Sequence, residues 1–321
     1  MRYLLSAHMR ADDPPEPMQG AESNSKLTRP NLPVPPVKYC IITAVRDEER
    51  FIAGAIDSVV GQTIQPAEWI IVDDGSSDAT AGIVAERMQG YSWIQFIQRK
   101  NRGYRSTGGG IEAFLDAYPL LQTQDWEYLV NLDGDLTFAP DYFARCFEHF
   151  QEMPQLGIGG GTLYSRKEGG LEVERAPLFH VRGATKIYRR ECWEKLGGLS
   201  RSLGWDTIDE IKANRLGWKT QSFEDLHLIH HRTSGTAWGE WRFAVLDGEA
   251  DYLVGYHPAF FFFKCLRHLF HPPYLLRGLA VAYGYLRCLA RRTPRIADRE
   301  LRNYLRRQQL RCLLGMSSIW R

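Results

Sequence analysis

At 321 residues the chain has room for one large domain or two modest ones, and 44% apolar with 24% charged residues is a folded composition that excludes wholesale disorder. The formal net charge of +2 is unevenly spread. Residues 264–321 carry thirteen Lys and Arg against two acidic residues, which leaves residues 38–263 acidic. An acidic body argues against a general nucleic-acid binder, and a basic tail suits an anionic surface.

Six cysteines stand at 40, 146, 192, 265, 288 and 312 with no CxxC pair and no histidine at zinc-finger spacing. A disulfide scaffold or structural zinc site is not expected, and the spacing fits a reducing compartment. The opening MRYLLSAHMRADDPP has too short an apolar stretch for a signal peptide, and no run approaches eighteen uncharged apolar residues.

Residues 1–37 hold seven of the sixteen prolines and read as a flexible leader. Order is expected from Lys38. Tyr39 to Val45 is continuously apolar, the mark of a buried parallel strand, and Phe51, Ile52, Ile56 and Val59 follow at helical spacing. Trp69 to Val72 is a second strand that empties into the turn Asp73-Asp74-Gly75-Ser76-Ser77-Asp78 before a helix over 79–88. Trp93 to Gln98 gives a third strand. A glycine-rich stretch, Asn101 to Gly110, leads into a helix over 111–117, and Tyr128 to Leu132 is a strand ending at Asp133-Gly134-Asp135. Strands alternating with helices, with acidic residues at the strands' carboxyl ends, describe an open α/β sheet whose ligands collect at that edge. Residues 38–135 thus read as a nucleotide-binding half. Residues 136–254 complete the sheet on the acceptor side, with helices over 141–150, 190–196 and 206–216 and strands over 157–164, 181–188 and 218–223. No internal repeat is visible.

Three acidic features and one histidine cluster carry chemistry. Asp133 and Asp135 bracket a glycine after a buried strand, an arrangement that can hold a divalent ion while backbone approaches a diphosphate. Asp74 shares that edge and is placed to accept hydrogen bonds from a base or ribose; Asp78 reads as a helix cap. Asp206, Asp209 and Glu210 share a helix face, where a carboxylate can take a proton from an acceptor hydroxyl unless Asp206 simply caps the helix. Of His227, His230 and His231, two adjacent residues on extended backbone face opposite ways. His231, at the start of a loop, is the expected metal ligand beside Asp135.

In this order the stretches Thr43 to Glu48, Val72 to Thr80, the Asn101 loop, Asp133 to Asp135, the Gly183 region and Trp205 to Trp218 resemble a family 2 glycosyltransferase of the GT-A fold, over roughly residues 38–240. The resemblance implies a Rossmann-like, mostly parallel sheet flanked by helices, a nucleotide-sugar donor with uridine favoured, Mn2+ or Mg2+, and inversion at the anomeric carbon. It implies a donor site drawn from Ala44, Arg46, Glu48, Asp74, Asn101, Gly103, Asp133 and Gly183. Asp135 looks like the direct metal ligand, with Asp133 nearer the ribose or a metal water. Counting back from Arg215-Leu216-Gly217-Trp218, the family's base falls on Asp206, with Asp209 the alternative. Trp205 replaces the first member of the usual acidic pair. Arg46 and the triple glycine at 108–110 also depart from the family pattern, and both touch the donor side.

The tail, residues 255–321, reads as basic amphipathic helices. Leu275, Leu279, Ala282, Tyr283 and Leu286 recur at helical spacing with Arg277, Arg287, Arg291 and Arg292 nearby. Such helices suit the plane of an anionic bilayer, the alternative being packing on the body with the arginines in water. The expected partners are a donor, a glycan or glycolipid acceptor and a peripheral membrane surface, with no nucleic acid and a homodimer left open. By analogy with bacterial cell-surface polysaccharide enzymes, the expected place is the cytoplasm at the inner face of the plasma membrane. Two rivals are weaker. A nucleotidyltransferase wants a glycine- and lysine-bearing loop where Val45-Arg46-Asp47-Glu48-Glu49 stands. A non-catalytic glycan- or lipid-binding scaffold has no use for Asp133, Asp135 and Asp206 together.

Overall fold

The computed structural model describes residues 37–103, 109–167, 170–174, 176–232, 239–270 and 274–320. The expected leader lies outside the described residues except for Val37, which is buried against the core. Residues 104–108 of the glycine-rich stretch, the loop 233–238 and Pro272-Pro273 also lie outside them.

In chain order the first half runs β1 (Tyr39–Val45), α1 (Ile52–Val60), β2 (Glu68–Asp73), α2 (Thr80–Arg87), β3 (Ile94–Gln98), α3 (Gly109–Ala117), β4 (Tyr128–Leu132) and β5 (Leu136–Phe138). There follow α4 (Tyr142–Glu152), β6 (Leu156–Lys167), β7 (Gly170–Val173), β8 (Thr185–Arg189), α5 (Arg190–Leu196), α6 (Trp205–Arg215) and β9 (Lys219–His230). The chain closes with α7 (Glu240–Val254), α8 (Pro258–Leu269), α9 (Leu276–Ala290) and α10 (Arg299–Leu313).

The strands form one sheet of order β3-β2-β1-β4-β8-β6-β9-β5, with β7 paired to β6. β1 to β4 pair in parallel, with β1, β2 and β4 buried on both faces and β3 (Ile94–Gln98) partly exposed at the end of the sheet. Side chains alternate across β1. Tyr39, Ile41 and Val45 enter a core with α1 and α4, whereas Cys40 and Ile42 enter a second with α3, α5 and α6. The outer half of the sheet is mixed, since β8 runs antiparallel between β4 and β6 while β9 lies parallel to β6.

This topology builds an edge. The carboxyl ends of β1, β2, β4 and β9 and the amino end of the reversed β8 all open on the same side. The glycines of β6 let its neighbours close in: a Cβ on Gly160 would lie 2.1 Å from the Thr185 carbonyl oxygen of β8.

The tail is a packed subdomain. Leu301 and Leu305 of α10 bury against Ile208 and Ile211 of α6, and Asp298 caps α10 by accepting from the Leu301 amide at 2.8 Å. Helix α7 packs on α9 so closely that a Cβ on Gly248 would meet the Val281 carbonyl oxygen at 1.9 Å. Lys264 of α8 reaches Asp247 and Asp251 of α7 at 3.0 and 2.7 Å. Arg302 and Arg306 donate to the Ile296 and Gly255 carbonyls.

Candidate active site

Two loops at the strand ends are laced together. The Asp47 amide donates to Ser76 Oγ, the Ser77 amide donates to Asp47 Oδ1, and the Glu48 amide donates to Thr80 Oγ1, at 2.8–2.9 Å. The Glu49 amide donates to Asp78 Oδ2, and the Ala79 amide donates to Glu49 Oε2. Asp47 is thereby occupied by the neighbouring loop, and it is the next residue, Glu48, that joins the carboxylate cluster. Asp73 closes its own turn by accepting from the Ser76 amide and hydroxyl.

Behind this lacing sits the Asn101 loop. Arg46 donates to the Gly103 carbonyl at 2.8 Å and to Asn101 Oδ1 at 3.1 Å, and Asn101 Oδ1 also accepts from the Gly103 amide. Arg46, Asn101 and Gly103 therefore hold one another as a wall of the edge. Ala44 is half-buried below, facing Gly110. Gly75 has φ +84°, and a Cβ there would stand 2.4 Å from Asn101 Cα. Gly75→Ala is expected to cost about 1–3 kcal/mol and to displace the Asn101 loop; thermal unfolding and nucleotide affinity measured together check this, both falling.

Asp74 is buried, and its Oδ1 takes Arg99 at 3.2 Å and Arg102 at 2.9 Å.

The carboxylate cluster joins three elements. Asp133 and Asp135 flank the turn after β4, and Glu48 comes from the loop after β1. Burial and then the charge of Asp135 push Glu48 up to about 8, opposed by Arg232, which lies 2.8 Å from its Oε2. Enclosure and Asp135 likewise push Asp133 up to about 7. Three carboxyl groups crowd one spot, and the crowding disfavours charging all of them together. Gly134 has another reason than the expected one: the direction of its missing Cβ is filled by Val45 Cγ1 at 2.6 Å, so the glycine serves packing on β1.

His230 and His231 divide as the strand pleat requires. His230 Nε2 lies 3.4 Å from Asp135 Oδ2, and its Nδ1 lies 2.8 Å from Glu174 Oε1. Against a burial that pulls it down, these two carboxylates hold the His230 ring up to about 10. The ring of His231 turns instead to Thr137 Oγ1 at 2.8 Å and stacks on Phe51, and burial lowers it. The imidazole on Asp135 is thus that of His230 rather than the expected His231, which offers Asp135 its backbone amide, donated to the Asp135 carbonyl at 3.0 Å. Leu226, Leu228 and His230 are all buried on β9, an alternation that carried this signal.

From Asp133 the site continues to Asp206. The Asp133 amide donates to the Ala184 carbonyl at 2.9 Å, and Asn131 donates to the Gly183 carbonyl. A Cβ on Gly183 would lie 3.0 Å from the Trp205 ring and 3.6 Å from Asp206 Cβ. Trp205, which replaces an acidic residue of the family pattern, is thus the surface on which the Gly183 turn rests. Asp206 is not the cap of α6; Gly204 is, with φ +80°. Asp206 is half-exposed in the first turn, and among the described residues its carboxylate has no hydrogen-bond partner. Asp209 and Glu210 are buried and engaged. Asp209 takes Lys186 at 2.8 Å and the Tyr188 hydroxyl at 2.6 Å; Glu210 takes Lys186 at 3.0 Å, His180 at 2.8 Å and the Val181 amide at 2.7 Å. Lys186 also donates to the Asp206 carbonyl. Lys186, Glu174 and Arg232 are the contributors that sequence reasoning missed.

The edge suits a divalent cation in its donor chemistry. Among the described residues no three ligating side chains converge as a ready cage. The hard carboxylate oxygens of the mutually repelling Asp133 and Asp135 are donors of the kind that Mn2+ or Mg2+ takes.

Residues 40–219 match the family model described as glycosyl transferase family 2. The chain is 28% identical over 157 residues to glycosyltransferase GlyA of Streptococcus pneumoniae, covering 47% of this chain and 20% of that protein. It is 31% identical over 180 residues to an uncharacterized glycosyltransferase, the MG025 homolog of Mycoplasma pneumoniae, covering 51% and 57%. The chain therefore spans from a fifth to somewhat over half of these relatives' lengths. Among solved structures it resembles the mannosyltransferase PcManGT of Pyrobaculum calidifontis in complex with GDP-Man and Mn2+, with TM-score 0.52, 18% identity, and 88% of this chain and 76% of that chain covered. It also resembles S. aureus TarS 1-349 in complex with UDP-GlcNAc, with TM-score 0.50, 14% identity, and 84% and 78% covered. Both likenesses are of fold, GT-A.

Proposed function

The chain belongs to glycosyl transferase family 2, and from that premise we propose that it moves a sugar from a nucleoside-diphosphate sugar to an acceptor hydroxyl with inversion, using Asp206 as the base. The observation that carries this reading is the continuity of the edge: Asp133 is tied through the Ala184 carbonyl and the Gly183 turn to a half-buried Asp206 whose carboxylate has no hydrogen-bond partner among the described residues. Donor charge and acceptor proton are handled at two ends of one short path.

On this reading Asp74 and the Arg46–Asn101 wall receive the nucleoside, with UDP the favoured donor. Asp135 and Asp133 hold Mn2+ or Mg2+, which when bound supplies positive charge to the departing diphosphate. Asp206 accepts the proton of the acceptor hydroxyl. That oxygen bonds to the anomeric carbon from the face opposite the diphosphate, whose bond to carbon breaks in the same displacement, so configuration inverts. No second nucleophilic carboxylate is needed. Asp209 is unsuited to the task because Lys186 and Tyr188 already occupy it. The acceptor is a hydroxyl of a glycan or glycolipid, presented at a membrane surface.

The test is product analysis. Incubation with Mn2+ and a panel of nucleotide sugars is expected to release nucleoside diphosphate. Release of pyrophosphate would point to nucleotidyl transfer instead. Asp135→Ala, or chelation of the metal in the wild type, is expected to lower the rate by about 100-fold or more, and donor affinity measured by calorimetry should fall in parallel.

A further inference from the structure

We propose that the outward faces of α8 and α9 dock the protein onto an anionic lipid bilayer, lying in its plane. Helix α9 has two apolar faces where a surface helix has one. Its inner arc is spent on packing: a Cβ on Gly284 would stand 2.0 Å from the Val245 carbonyl oxygen of α7, and Tyr285 stacks on Phe261 of α8. Its outer arc, Leu276, Leu279, Tyr283 and Leu286, follows the helical repeat and is more than half exposed at every position. Helix α8 repeats the pattern with Phe262, Phe263 and Leu266 exposed, and Phe270 and Tyr274 beyond its end are 69% and 65% exposed. No described residue covers either arc.

Charge selects the occupant. Between Asp251 and Asp298 the chain holds no acidic residue and seven Lys and Arg. Of these, Arg267, Arg291 and Arg292 are exposed beside the apolar arcs. Asp247 and Glu249 of α7 are taken up by Lys264 and Arg287; an apolar stripe with Arg267, Arg291 and Arg292 exposed near it matches acyl chains beneath anionic headgroups, with tyrosines at the boundary. No described helix is long and apolar enough to cross a membrane, so the fit is to its surface. The face is also built onto the site. Val254, at the end of α7, lies where a Cβ on Gly204, the cap of Asp206's helix, would meet it at 2.8 Å. Docking would therefore hold the helix that carries Asp206 on a body anchored at the bilayer, and only this consequence rests on the transfer reading above.

Vesicle co-sedimentation of the full chain, which needs no turnover, tests the proposal. Wild-type protein is expected to bind phosphatidylglycerol-containing vesicles, more weakly at high salt, and to bind neutral phosphatidylcholine vesicles poorly. Leu279→Glu with Leu286→Glu should weaken binding by about ten-fold or more, with donor binding and melting temperature kept as evidence of folding. Arg291→Glu with Arg292→Glu, which leaves packing untouched, should weaken binding to the anionic vesicles alone. Wild-type protein that ignores anionic vesicles would overturn the proposal. So would a stable dimer in solution that the leucine variant dissociates, since a second copy would then cover the face. Donor turnover that persists without vesicle binding would remove the docking and leave the transfer reading standing.

Discussion

Asp206→Asn is expected to lower kcat for sugar transfer by about 10²–10⁴-fold while donor affinity and melting temperature stay close to wild type. The effect is large because the amide keeps the shape of the carboxylate but takes no proton. Stability is spared because among the described residues the Asp206 side chain has no partner to lose. Single-turnover rates with saturating donor, set beside calorimetric donor affinity, separate the two quantities. A variant that binds donor normally and transfers at the wild-type rate would remove Asp206 from the chemistry.

Lys186→Met is expected to destabilise the protein by about 3–5 kcal/mol, the largest loss foreseen for a single side chain here. Lys186, Asp209 and Glu210 are fully buried, and the ammonium lies 2.8 and 3.0 Å from the two carboxylates. Burial and the neighbouring Glu210 charge push the Asp209 carboxyl up to about 7 even with Lys186 and Tyr188 pulling it down. Without the lysine two buried carboxylates face each other with only His180, the Tyr188 hydroxyl and the Val181 amide as partners, and one must take a proton or drag in water. The same lysine donates to the Asp206 carbonyl, so the start of α6 loosens too. Urea unfolding measures the first effect and the transfer rate of the remaining folded protein measures the second. A variant within about 1 kcal/mol of wild type would show that the network tolerates its own charge.

The parallel half of the sheet was legible in the chain because its strands are short, continuously apolar and bounded by polar turns. Tyr39–Val45 and Tyr128–Leu132 fall where the pattern places them. The second half was less so. Strand β9 runs on to His230, past the expected end at Phe223, and its register on β6 jumps from Phe223 opposite Gly161 to His227 opposite Thr162. Glu224 and Asp225 are accommodated in that bulge. Strand β5 has only three residues, and β7 shows exposed Gly170, Leu171 and Glu172, so neither leaves a periodic trace. The turn of the edge could be read residue by residue from spacing, but partners could not. Glu174 sits in a charged stretch, and nothing local says that it will meet His230. The tail divides the same way: its amphipathic stripes were visible, but α9's second apolar face became distinct only once Gly278, Val281 and Gly284 were seen to be buried.

The central claim is that one edge binds a nucleotide sugar through its carboxylate turn and activates an acceptor through Asp206. The most direct measurement is nucleoside diphosphate release from a donor panel with Mn2+ and a lipid extract as acceptor source, run on wild type, Asp206→Asn and Asp135→Ala. The account predicts release from one donor by wild type, donor binding without release by Asp206→Asn, and neither by Asp135→Ala. Equal release by wild type and both variants, or pyrophosphate as the product, would contradict it.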